Sequence, residues 1–274
     1  MSRKVKAIIL TGNGTNCEME MAHACRMAGA DVADIVHLSE LLYGEKRLDD
    51  YSFLNLPGGF LDGDDLGSAK AGANRFLHAR VRETGEFLFD QLIQFIRAGK
   101  LILGVCNGFQ LMIKLGLLPA LNGDYAVQSA TLTFNDSGRF EDRWVYLKAE
   151  KASPCVYIRG TDMLYLPVRH GEGKFIPQNA SIMTHIEKKH LCALRYSSPD
   201  GLPAMTYPDN PNGSLNAVAG ICNESGRLFG LMPHPEACLK NLNHPRWTRE
   251  KLPSRGQGLV IFQNAVAFIR SREF

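Results

Sequence analysis

The stretch "KLILGVCNGFQLM", residues 100–112, constrains the fold more than any other part of the chain. A short apolar run, Leu101 to Val105, passes straight into an apolar helical pattern through Gly104-Val105-Cys106-Asn107-Gly108. A strand can become a helix within so few residues only around a very sharp turn. Glycines two residues either side of its apex remove the side chains that would collide there. Such a turn belongs to α/β architecture, and it lifts its central side chain above the end of the sheet. Cys106 would also stand at a helix N-terminus, where the helix dipole favours thiolate over thiol. A lone cysteine in apolar surroundings is usually inert core; the paired glycines and the strand-to-helix context turn the balance toward a nucleophile.

The same alternation runs through the first half of the chain. Val5 to Leu10, Asp31 to His37 and Phe53 to Leu56 have strand composition, Glu18 to Ala28 is helical with Gly29 to stop it, and Glu86 to Ala98 repeats apolar residues at helical spacing. A polar, glycine-rich loop is expected between Pro57-Gly58-Gly59 and that second helix. Strands and helices of these lengths in alternation predict βαβ units on a parallel sheet. From Ala126 to Leu147 and from Val156 to Met205 the pattern changes to short β-type runs broken by Gly, Pro, Asn and Asp, which predicts antiparallel strands added to the parallel core. Arg227 to Met232 is one more apolar run, and Gly258 to Ile269 reads as a closing helix. No repeat or linker interrupts the chain, so one domain over 1–274 is expected.

Composition removes several function classes. A 274-residue chain with 45% hydrophobic and 22% charged residues can bury a full core. A net charge of +3 from scattered basic residues leaves no electrostatic footprint for nucleic acid. The longest apolar stretch, Leu101 to Leu121, carries Asn107, Gln110 and Lys114 and three glycines, which a membrane span would not tolerate. The N-terminal "MSRKVKAIIL" has too short an apolar run for a signal peptide and reads as a first strand. Seven cysteines without framework spacing fit a reducing cytoplasm.

A thiolate nucleophile needs a proton shuttle, and the shuttle needs a group that fixes its tautomer. In "FGLMPHPEA", His234 follows an apolar run between Pro233 and Pro235. Prolines push the preceding residue toward extended geometry, so His234 and Glu236, two apart, should project to the same side. Glu236 can then take one imidazole nitrogen while the other faces Cys106. An oxyanion cradle is best built from backbone N–H groups. Asn107 supplies one, and Gly58 and Gly59 in "NLPGGF", at the C-terminal end of a strand, can supply another.

Other candidates carry less. Cys17 in "GNGTNCEME" also opens a predicted helix, so its thiol pKa would be lowered, but it lacks the paired-glycine turn; lining the site's rim suits it better. His185, His190 and Cys192 in "HIEKKHLC" match no standard zinc spacing and read as a solvated turn. His234, Glu236 and Cys238 include metal-type ligands, yet catalysis is the better use of His234, and no metal site is expected. "GNG" at 12–14 is too short for a dinucleotide site, and no G-x-x-x-x-G-K-[ST] phosphate loop is present.

Taken together, "LPGGF", "LGVCNGFQ", "PVRHGEGKF", "PDNPNGS" and "LMPHPE" resemble the class I (triad) glutamine amidotransferases, in the branch that serves phosphoribosylformylglycinamidine synthase. Asn107 and Phe109 together with "HGEG" point to that purine-pathway branch, and the similarity spans nearly the whole chain. The resemblance implies a flavodoxin-like α/β core, with Cys106, His234 and Glu236 as the triad hydrolysing glutamine through a cysteinyl thioester. It maps the glutamine pocket onto Gln110 and onto His170, Gly171, Glu172 and Gly173. It implies no cofactor in this chain. Ammonia would pass to a separate synthetase subunit that uses ATP and Mg to convert formylglycinamide ribonucleotide to the amidine, with a small bridging subunit as a further partner. The family reads "GGFSYGD" where this chain has "GGFLDGD", and Arg after "HPE" where this chain has Ala237. Leu61, Asp62 and Ala237 therefore motivate an alternative, a regulatory subunit with an inactive site on the same fold. A cysteine hydrolase of related fold, such as a peptidase, is the remaining alternative.

Overall fold

The computed structural model describes residues 4–271, so residues 1–3 and 272–274, the two ends of the expected domain, lie outside the described residues. The strands predicted in the first half form β1 (Lys6–Thr11), β2 (Val32–His37), β3 (Phe53–Leu56) and β4 (Leu101–Val105). Their connecting helices include α1 (Glu18–Met27), α2 (Leu38–Tyr43), α3 (Lys70–His78) and α4 (Leu88–Arg97), and α5 (Asn107–Lys114) follows β4 at once. The second half adds β5 (Ala130–Thr133), β6 (Glu141–Ala149), β7 (Met163–His170), β8 (Lys174–Pro177), α6 (Ala180–Lys188), β9 (Cys192–Ser197), β10 (Val218–Cys222), β11 (Leu228–Leu231) and α7 (Leu259–Ser271).

Nine strands form one sheet in the order β2-β1-β3-β4-β11-β10-β9-β6-β7, and β5 pairs with β8 apart from it. The first five strands pair in parallel, and the remaining four are antiparallel additions to the same sheet. The parallel part has the flavodoxin-like order, with β2 on one side of β1 and β3, β4 and β11 on the other. Right-handed crossovers in opposite directions place their helices on opposite faces. Accordingly α1 packs with α7, and α3 packs with α4 and α5. The buried hydrophobic side chains form one cluster running through both halves.

Besides the short α2, which directly follows β2, two helices were absent from the sequence reading. Within the stretch expected as a polar loop, α3 begins without a capping side chain, after Ala69 at φ 57°. It contains Gly72, which lowers helix propensity but leaves room for Leu61, whose Cδ2 lies 2.8 Å from where a Cβ would sit. The other, α6, is capped by Asn179, whose side chain accepts the Ile182 N–H at 3.1 Å. It absorbs His185, which pairs with Glu224 at 3.0 Å. Cys192 is buried in β9, so "HIEKKHLC" is a helix end and a strand start, not a solvated turn.

Candidate active site

The C-terminal ends of β1, β3, β4 and β11 converge, as open α/β sheets require of a ligand site. Cys106 stands at the apex after β4 with φ 51° and ψ −105°, a strained conformation for any residue with a side chain. Its N–H donates to the Leu231 carbonyl at 2.8 Å and its carbonyl accepts the Gln110 N–H at 3.0 Å, which over-determine the turn. At Gly108 a Cβ would lie 1.9 Å from the Leu56 carbonyl oxygen, so only glycine lets α5 seat on β3. Phe109 fills the space left by Gly230, where a Cβ would meet its ring at 2.0 Å. Burying that ring contributes about 2–3 kcal/mol to holding the elbow against β11.

His234 follows β11 and is buried together with Glu236. Its Nδ1 and the Glu236 Oε1 lie 2.6 Å apart. The sequence reading expected both residues in extended chain. Only His234 is extended, and Glu236 comes back to it through a short helical turn, Pro235–Ala237. Burial disfavours charge on His234, but the Glu236 carboxylate and the Cys106 sulfur outweigh it and hold the imidazole well above its ordinary pKa. The other ring nitrogen, Nε2, is buried without a hydrogen-bond partner. Gly58 sits where the three groups meet: a Cβ there would lie 2.8 Å from His234 Cε1, 3.2 Å from Cys17 Sγ and 3.5 Å from Cys106 Cβ.

These residues open on a cleft of about 240 Å³. Of the residues expected at the site, Cys106, His234, Gly59, Gln110, His170, Gly171 and Glu172 line it. Glu236, Gly58, Asn107 and Gly173 stand behind its wall. Asn107 is a tie: its Oδ1 accepts the Leu61 N–H at 3.0 Å and its Nδ2 donates to Gln110 Oε1 at 3.0 Å. Gln110 Nε2 in turn donates to the Glu172 carbonyl at 2.6 Å. This chain joins the loop after β3, helix α5 and the loop after β7. The Asn107 backbone N–H, at the start of α5, is one of the first-turn donors that have no partner inside a helix.

Cys17 also lines the cleft, with Sγ 3.9 Å from His234 Nδ1. Burial raises its thiol pKa, against the lowering expected from its helix start, and the nearby His234 only partly offsets this. Its Sγ, His234 and Glu236 offer ligand atoms within 4.8 Å of one another, a grouping that replaces the one with Cys238 considered from sequence. With Nδ1 already committed to the Glu236 carboxylate, this set works better as a proton-handling pair than as a metal site.

The sequence reading missed Asp64, Ser68, Phe134, Phe140 and Arg169, all on the cleft wall. The Arg169 carbonyl accepts from Cys106 Sγ at 3.4 Å, and the Ser68 N–H meets both Glu172 carboxylate oxygens at 3.2 Å. Burial and the neighbouring Glu172 raise the Asp64 pKa. His170 is driven the other way, down to about 3, by burial and then by His234. The departures from the family pattern line no part of the cleft. Leu61 is buried beneath it and Asp62 pairs with Arg75 at 2.9 Å.

A strained cysteine elbow, a buried His–Glu pair and a cleft at the end of a flavodoxin-like sheet define a class I glutamine amidotransferase. Residues 4–269 match the model of the CobB/CobQ-like glutamine amidotransferase domain, and the chain belongs to that family. Over 267 residues it is 44% identical to the phosphoribosylformylglycinamidine synthase subunit PurQ of Dehalococcoides mccartyi, covering 97% of this chain and 98% of the relative. It is 41% identical over 274 residues to the subunit of the same name from Methanococcus maripaludis, covering 96% and 97%. Among solved structures, that of PurLQS from Thermotoga maritima matches with a TM-score of 0.69 at 28% identity, covering 97% of this chain and 99% of the matched chain. Among the described residues no helix is long and apolar enough to cross a membrane.

Proposed function

We propose that this chain, acting as one catalytic domain over 1–274, is the glutaminase subunit of a phosphoribosylformylglycinamidine synthase, with Cys106, His234 and Glu236 as its triad. The observation that carries the site assignment is the Cys106 elbow set beside the His234–Glu236 pair at 2.6 Å. Glutamine would enter with its α-ammonium toward the carboxylates of Asp64 and Glu172, which give one side of the cleft a complementary charge. The Cys106 thiolate attacks the side-chain amide carbon, and the carbonyl electrons move onto oxygen. N–H groups of Asn107 and the Gly58-Gly59 turn receive that oxyanion. As the C–N bond breaks, its electron pair goes to nitrogen, which takes a proton from His234 Nε2 and leaves as ammonia. Water, deprotonated by His234, then attacks the thioester, and the C–S bond breaks to give glutamate and the thiolate again.

Ammonia would pass to the synthetase partner, where ATP and Mg are used, in the cytoplasm; the absence of a phosphate loop here supports that division of labour. Phe60, Phe134 and Phe140, exposed around the cleft, suit a mouth that a partner closes. The regulatory reading loses its motivation because Leu61, Asp62 and Ala237 stand outside the cleft wall. Glutamate release from glutamine by the chain assembled with its synthetase subunits tests the assignment. Replacement Cys106→Ala should abolish it, and a glutamine-like electrophile should label Cys106 one to one. Normal turnover in that variant would remove the triad assignment.

A further inference from the structure

Five of the cysteines, Cys25, Cys155, Cys192, Cys222 and Cys238, are buried in the core, and only Cys17 and Cys106 line the cleft. The glutaminase reading uses Cys106 and leaves Cys17 without a task. Backbone bonds hold Cys17 in place, because the loop before it is tied to the turn after β3. The Asn16 N–H donates to the Gly58 carbonyl at 3.3 Å, and the Phe60 N–H donates to the Gly14 carbonyl at 2.7 Å. Cys17 Sγ thereby comes to 3.9 Å from His234 Nδ1, beside the ring that serves Cys106. Between the two cysteines stands a residue with no side chain. The place that a Gly58 Cβ would take is 3.2 Å from Cys17 Sγ and 3.5 Å from Cys106 Cβ, so Cys17 Sγ lies within about 6.7 Å of Cys106 Cβ (3.2 plus 3.5). A disulfide sets the two Cβ atoms about 3.5–4.5 Å apart. The remaining distance can be closed at the start of α1, a helix end with no capping side chain.

We propose that Cys17 is a resolving thiol that traps an oxidised Cys106 as a Cys17–Cys106 disulfide and makes the site a reversible peroxide switch. This rests on the glutaminase reading above, in which Cys106 works as a thiolate, the form that peroxide oxidises. A cleft of about 240 Å³ admits hydrogen peroxide. The Cys106 thiolate attacks one peroxide oxygen. The S–O bond forms, the O–O bond breaks, and the departing hydroxide takes the His234 proton and leaves as water. Neutral His234 then takes the Cys17 thiol proton, and the Cys17 sulfur attacks the Cys106 sulfur. The S–S bond forms, the S–O bond breaks, and the second hydroxide leaves as water with that same proton. Peroxide gains two electrons and becomes two waters, and each sulfur gives up one. Burial raises the Cys17 pKa, so this thiol waits as S–H while Cys106 meets the oxidant. The link removes the nucleophile from glutamine, and a reductant restores it. Without a second thiol at this distance, the sulfenic acid goes on to sulfinic acid, which simple thiols do not reverse.

The test treats the chain, assembled with its synthetase subunits, with hydrogen peroxide in the absence of glutamine. Each sample is divided between peptide mass analysis and glutamine turnover, before and after a dithiol reductant. The wild-type chain should lose turnover, yield a linked Cys17–Cys106 peptide pair two hydrogens lighter than the free peptides, and regain most of its own untreated activity on reduction. Cys17→Ala should yield no linked pair; its Cys106 should gain two oxygens as sulfinic acid, and its lost turnover should not return. Cys17→Ser, closer to cysteine in size, should match Cys17→Ala, which separates the missing thiol from a packing change. Sulfinic acid at Cys106 to the same extent in all three chains, or a wild-type Cys106 that stays a free thiol under peroxide, would overturn the switch. The mass readout does not depend on activity. A linked pair in a chain whose turnover survives Cys106→Ala would remove the glutaminase reading and keep the thiol pair, whereas an unlinked Cys106 in a chain that needs it for turnover would do the reverse.

Discussion

Replacing Gly108 by alanine tests the elbow as a piece of mechanics. The added Cβ would lie 1.9 Å from the Leu56 carbonyl oxygen and 2.6 Å from its carbon, where real Cβ contacts do not come under 3.0 Å. Relief therefore needs a separation of about 1.1 Å (3.0 minus 1.9) between the first turn of α5 and the end of β3. Strand β3 is paired on both edges, to β1 and β4, so the helix must move. It carries Cys106 and Asn107 with it and strains the Leu61–Asn107–Gln110–Glu172 tie. Overpacking against backbone costs about 3 kcal/mol, at the upper end of such changes, because no side chain can rotate away. A misplacement of this size at a reacting centre costs about 10²-fold in rate. Urea unfolding of the chain and glutaminase turnover in the complex read the two effects. Stability within about 0.5 kcal/mol of wild type, together with undiminished turnover, would refute the close-packing account of the elbow.

Two further perturbations separate strain from chemistry. Cys106→Gly should be more stable than Cys106→Ala by about 1 kcal/mol, the reverse of the usual order, because glycine alone tolerates φ 51°, ψ −105°; paired chemical denaturation checks it, and the ordinary order would refute strain at the apex. Glu236→Gln removes the carboxylate that sustains the raised His234 pKa. A histidine raised in the folded state contributes stability that is complete below its unfolded pKa, about 6.5, and is lost as pH rises through the folded value. In the variant that alkaline loss begins at lower pH, the alkaline limb of kcat/KM moves down with it, and kcat falls by about 10²–10⁴. An unmoved limb would refute the ion-pair account.

The readable parts of this chain are those whose physics is local. The run Leu101 to Val105 followed by two glycines around Cys106 encodes a strand, a turn and a helix within a dozen residues, and β3 was legible to the residue because Pro57 stops it. Helix α3 was hidden because it has Gly72 inside and no capping side chain, and it stands only because it packs on α4 and α5. His234 and Glu236 were legible as a pair two residues apart, though the turn that joins them was not.

The sequence by itself determined the strand-to-helix turn around Cys106 and the closeness of His234 to Glu236, the residues proposed as nucleophile, base and orienting acid, since residue type and short-range backbone geometry suffice for each. Only the tertiary structure decided which groups face them. Arg169 reaches Cys106 across 63 positions. Cys17 meets His234 across 217, while Leu61 and Asp62, adjacent in sequence to the predicted cradle, turn away from the cleft. Such contacts depend on strand order and on which loops share a sheet end, and no local pattern records either.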